Sequence, residues 1–156
     1  MYKSLIAAAV AALAATSAMA ETFFGVHDAY AITSRPGAPT AAIFMELHNL
    51  GDVDDRLIGA RTDVAQITEL HTHVMQDGVA RMLEIEGGIA LPMNGGHDFV
   101  RGGDHVMLMG VTQTLEPGMT IDVTLIMESG YEFSITVPVV DQADAPVPMQ
   151  HSDHNH

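Results

Sequence analysis

Apolar positions in this chain come in short runs that alternate with polar ones and are cut by turn residues. "TFFGVHDAYAIT", "TAAIFMELHNL", "RLIGART", "AQITELHTHVM", "VARMLEIE", "HDFV", "DHVMLMGVTQT", "MTIDVTLIM" and "YEFSITVPVV" all have the length and period of half-buried strands. Between them "RPGAP", "NLGDVDD", "QDG", "EGG", "MNGG", "RGGD", "EPG" and "ESG" supply the Gly, Pro, Asn and Asp that chain reversals need. No stretch after the first twenty residues has helical periodicity, and no repeat recurs at solenoid spacing. The pattern predicts a single all-β domain, an antiparallel sandwich or barrel.

The two ends break this pattern. Residues 1–20 carry Lys3, an apolar run from Leu5 to Ala15, and a small-residue site at Ala18-Met19-Ala20, the layout of a cleaved secretory signal peptide. That run is too short to span a bilayer. Residues 21–141 are expected to form the β-domain. Residues 142–156, ending in "PVPMQHSDHNH", read as a flexible tail bearing Met149, His151, His154 and His156.

Composition narrows the partners. The formal charge is −14, and losing Lys3 with the signal makes it −15. Nucleic acid and anionic membrane surfaces are poor partners for such a chain, whereas cations and basic protein patches suit it. There is no cysteine, so stability rests on packing, and a lipobox, a blue-copper thiolate and a cysteine nucleophile are all excluded. Nor is there a G-x-S-x-G nucleophile elbow.

Two strands carry soft side chains. Alternation puts His71, His73 and Met75 on one face of theirs, and His105, Met107 and Met109 on one face of another. The "QDG" turn sends the chain back so that Met82 can approach the first stripe. Thioether and imidazole together suit Cu(I) better than Zn(II), Ca(II) or Mg(II), and in an oxidising compartment they avoid thiolates exposed to disulfide formation. An isolated Met such as Met45, Met109, Met119 or Met127 reads as core; a His paired twice with a Met at strand spacing reads as a donor set. His27, His48 and His97 stand alone and read as structural or surface residues.

His71, ten residues, Met82, then His105-x-Met107 resembles the signature of the PCuAC family of periplasmic copper chaperones. "GAPTAAIFMELHNLGDVDDRLIGA", "ELH…DGVARM" and "GGDHVMLMG" are also similar to segments of that family, and the likeness spans most of residues 24–140. The resemblance implies a cupredoxin-like β-sandwich with His71, Met82, His105 and Met107 as Cu(I) ligands. His73 and Met75 lie outside that set as additional candidates. One spacing departs: 22 residues separate Met82 from His105, where the family usually has 21. The extra residue is assigned to the turn at Gly87 and Gly88, where it leaves strand register intact.

The expected function is that of a non-enzymatic periplasmic copper chaperone. The resemblance implies delivery to the copper centres of cytochrome c oxidase, with a Sco-type protein as a further partner. The imidazoles of the tail, with Met149 and Asp153, suggest a second, looser Cu(II) site. The rivals are copper storage, a metal-dependent enzyme using His71, His73 and His105, and a β-sandwich that binds a partner without metal.

Overall fold

In the computed structural model, which describes residues 24–146, ten strands and no helix are found among the described residues. They are β1 (Phe24–Thr33), β2 (Thr40–Asn49), β3 (Asp55–Arg61), β4 (Ala65–Gln76), β5 (Val79–Glu84), β6 (Ile89–Leu91), β7 (Gly96–Phe99), β8 (His105–Val111), β9 (Thr120–Met127) and β10 (Glu132–Pro138). Nine of them answer to the runs read from the sequence. The tenth, β6, has only three residues, too few for any period to show. Residues 1–23, which include the expected signal peptide, and residues 147–156, with Met149, His151, His154 and His156, lie outside the described residues.

The strands form two sheets. One runs β1-β2-β8-β4-β5 with β7 also on β2, the other β10-β9-β3-β6, and the named strands pair antiparallel. Alternation decides what lies between them. β2 turns Ala41, Ile43, Met45 and Leu47 inward, β8 Val106 and Leu108, β9 Ile121, Val123, Leu125 and Met127, and all are buried in one core. Met45 and Met127 are thus core residues, as expected. Met109 is not: it sits on the other face of β8, half-buried opposite Thr40 and Ile67. Its place follows from being two residues beyond Met107 on a strand of period two.

Asn49 is fully buried, yet its amide donates to the carbonyls of Val53 (2.8 Å) and Leu91 (3.0 Å) and accepts from the Gly51 amide (3.0 Å). It ties the loop after β2 to β6 and leaves no polar group of its side chain unpaired.

The outer face of the six-stranded sheet holds a smaller apolar cluster of Tyr30, Ile32, Phe44 and Ala145. The chain after β10 stays against this face. Gln142, which the sequence reading counted with the tail, donates to the Thr33 carbonyl at 2.9 Å, and Ala145 is buried.

β4 is long enough to do two jobs. Ala65 to His71 pair with β8, while His71 to Gln76 pair with β5, so the end of the β4–β5 hairpin projects as a two-stranded ribbon. Its turn has Asp77 at φ 52° and Gly78 at φ 76°, the two left-handed positions that an Asp-Gly hairpin turn requires. Every residue of β5, an edge strand, is exposed.

Candidate metal centre

His71 is the one β4 residue paired on both sides, with His105 of β8 on one and Glu84 of β5 on the other. Two residues on, His73 faces Met82; two residues back, Glu69 faces Met107. Strand pleating therefore gathers side chains from three adjacent strands on the outer face of one sheet. A depression of about 230 Å³ opens there, and His73, Met82, His105 and Met107 line it together with Phe44 and Ala42 of β2.

Hydrogen bonds fix which nitrogen each imidazole offers. His105 Nδ1 lies 3.1 Å from the Gly103 carbonyl, which can only accept, so Nδ1 carries the proton and Nε2 keeps its lone pair. His71 Nε2 lies 2.8 Å from a Glu69 carboxylate oxygen, so Nε2 donates and Nδ1 is bare. Among the described residues, His105 Nε2 and His71 Nδ1 are the only buried side-chain nitrogen or oxygen atoms without a partner. Leaving such a group unpaired costs about 1–3 kcal/mol. Two orphaned, correctly tautomerised imidazole nitrogens side by side on one face are what a bound metal would satisfy.

Protonation agrees with this assignment. Burial pushes the His105 pKa below its ordinary value, against an upward pull from the Gly103 carbonyl, and the neighbouring His73 and His71 push it down further. At neutral pH His105 is a neutral imidazole with a free lone pair.

The four residues named by the resemblance differ in setting. His105 is 1% exposed, and Phe44 packs on its ring at 5.9 Å between centroids. His71, edge-on to His105 at 6.0 Å, is mostly covered. Met107 is half-buried, while Met82, out on the edge strand, is 42% exposed. Of the two additional candidates, His73 stacks on His105 at 5.1 Å, inside the depression, and Met75 is 71% exposed and lines none of it. His71 itself does not line the depression; it flanks His105 from the β4 side.

Sequence reasoning missed three contributors. Glu69, two residues before His71 on the same face, was visible as a polar residue in phase with the stripe. The Gly103 carbonyl and Phe44 carried no local signal, since only tertiary structure brings them to His105. A fourth support is His97, whose Nε2 lies 2.8 Å from Asp104 and pins the loop leading into His105, in keeping with its expected structural role.

Among the described residues no three His, Asp or Glu side chains converge tightly enough to hold a metal by themselves. With the side chains as placed, a metal on this face would need the methionine sulfurs as well. Among the described residues, the only formally charged side chain in the wall is Arg101, whose guanidinium donates to the Gln142 carbonyl at 3.3 Å. Neutral nitrogen and sulfur donors without a lining carboxylate favour a soft, singly charged cation. The 22 residues between Met82 and His105 contain β6, β7 and three turns, and the Gly87–Gly88 turn lies outside every strand.

The family model described as "Putative lipoprotein LpqE-like" matches residues 25–139. "Putative lipoprotein Lxx21020" of Leifsonia xyli subsp. xyli is 32% identical over 121 residues, which cover 78% of this chain and 73% of that protein. The copper-bound PCuAC domain from PmoF2 has the same fold, with a TM-score of 0.63 and 22% identity over 76% of this chain and 92% of that one. The solution structure of Cu(I)-bound DR1885 from Deinococcus radiodurans matches with a TM-score of 0.56 and 29% identity over 81% of this chain and 85% of that one. Its apo form matches with a TM-score of 0.58 and 27% identity over 94% of this chain and all of that one. The cupredoxin-like sandwich expected from the sequence is the fold of this chain.

Proposed function

Since the chain belongs to the LpqE-like family, which is the PCuAC family, we propose that it is an exported copper chaperone holding Cu(I) through His71, Met82, His105 and Met107. The observation that carries this reading is the pair of buried, unpartnered nitrogens, His105 Nε2 and His71 Nδ1, beside two methionine sulfurs. The Gly103 carbonyl and Glu69 carboxylate hold the rings in the ligating tautomer, as outer partners of metal-bound histidines commonly do. Phe44 and the apolar wall keep water from His105, and exposed Met82 is the donor an acceptor reaches first. Cargo would leave by ligand exchange, each donor bond from this chain replaced by one from the acceptor, with copper's oxidation state and the protein's covalent bonds unchanged.

The acceptor in this proposal is a copper centre of cytochrome c oxidase, with a Sco-type protein as an alternative recipient, and the working compartment is the periplasm. A second Cu(II) site in the tail, drawing on Met149, His151, His154 and His156, completes the reading. The chain contains no cysteine that could take a lipid.

Titration with Cu(I) under reducing conditions, in competition with a chromogenic chelator, tests the central claim. The expected result is one Cu(I) per chain, held far more tightly than Zn(II), with Met82→Leu and Met107→Leu each weakening Cu(I) while costing under about 1.5 kcal/mol of stability. Equal affinity for Zn(II) and Cu(I) would refute the chaperone reading.

A further inference from the structure

The depression contains one imidazole more than the Cu(I) set requires. His73 lines it, faces Met82 across the β4–β5 pair, and stacks on His105 with ring centroids 5.1 Å apart and planes 30° from parallel. His71, two residues back from His73 on the same strand, lies edge-on to His105 at 6.0 Å. Three imidazoles thus follow one another on a single face, but as placed they do not converge. The exposed one, His73, makes no side-chain hydrogen bond among the described residues; it lies beyond the last β4–β8 pair, facing Met82 of β5 on one side, with its own amide donating to the Gly103 carbonyl at 3.3 Å on the other. A rotation about its own side-chain bonds is enough to change what its nitrogens face.

Copper's two common oxidation states want different donors. Cu(I) is content with two sulfurs and two imidazoles, whereas Cu(II) prefers nitrogen and oxygen and higher coordination. The charges around the depression do not exclude a divalent ion. Arg101 on its wall is outweighed by the carboxylates of Glu69, bonded to His71, and Asp104, bonded to His97.

We propose that His73 is a third imidazole donor that lets the same site retain copper as Cu(II), with His71, His73 and His105 as its nitrogen ligands. This rests on the reading of the face as a copper site. As placed, the His73 ring stacks on that of His105; with Cu(II) bound it would turn to the ion, and the sulfurs of Met82 and Met107 would become the weaker partners.

The test uses the mature chain with His151, His154 and His156 all changed to Ala, which removes the tail imidazoles from the measurement. Into it are placed His73→Leu and, separately, His73→Met. Cu(II) affinity is read by competition, the number of bound nitrogens by electron paramagnetic resonance, and Cu(I) affinity by chelator competition. Both variants should lose about tenfold or more in Cu(II) affinity, and the nitrogen count should fall from three to two. Cu(I) affinity should stay within about threefold for Leu and hold or rise for Met, whose thioether is itself a Cu(I) donor. Unchanged Cu(II) affinity and nitrogen count in both variants overturn the role of His73 while leaving Cu(I) binding in place. Loss of Cu(I) binding already in the parent chain overturns the copper reading and this one with it.

Discussion

Glu69 and the Gly103 carbonyl decide which nitrogen of each imidazole stays bare, and neither belongs to the proposed donor set. Glu69→Gln can leave an amide oxygen in place of the carboxylate, but it removes the charge that holds His71 Nε2–H. Cu(I) affinity should drop by about tenfold with the fold intact, as chelator competition and circular dichroism on the same sample would show. His105 sets a pH dependence of a definite sign. Its folded pKa is depressed by burial, so as pH falls from near 6.5 the unfolded chain binds a proton that the folded chain refuses. The apo protein should lose stability as pH drops from about 6.5 towards the lowered folded pKa, and urea midpoints in His105→Gln should lack that part of the slope. The proposed donors of β4 and β8 were legible as candidates because a stripe of period two displays them. The identity of the free nitrogens was not, because it depends on a carbonyl and a carboxylate whose positions no local pattern encodes.

Among elements, the β4–β5 hairpin was readable from "QDG" down to its left-handed turn residues. Its register was not: Met82 lies opposite His73, and His71 is opposite Glu84. That offset brings a third imidazole beside the methionine and could be settled only by the pairing itself. The turn after β5 shows how tightly the crossing to the second sheet is held. Gly88 has φ 70°, and a Cβ there would lie 2.5 Å from the Leu57 carbonyl oxygen. Gly88→Ala should therefore destabilise the protein by at least about 1–3 kcal/mol, measured by chemical denaturation. Gly78, also left-handed but with open space around it, carries the strain without the clash, so Gly78→Ala should be milder.

At the scale of the whole molecule, alternation and turn chemistry predicted the sandwich and its single core, since each sheet has one face to bury. The course of residues 142–146 over the outer face was hidden, because contacts such as Gln142 to Thr33 lie far apart in sequence. The proposed donors all stand on that outer face, on neighbouring strands of one sheet, and the core behind them is continuous without any ion. Stripping copper should accordingly leave the far-ultraviolet dichroism unchanged, with copper raising the melting temperature only by the mass-action amount its affinity dictates. Where a zinc finger collapses when its ion goes, the proposed site would present its ion on the outside of a finished building. A chaperone built so could hand over its load and return for another without refolding in between.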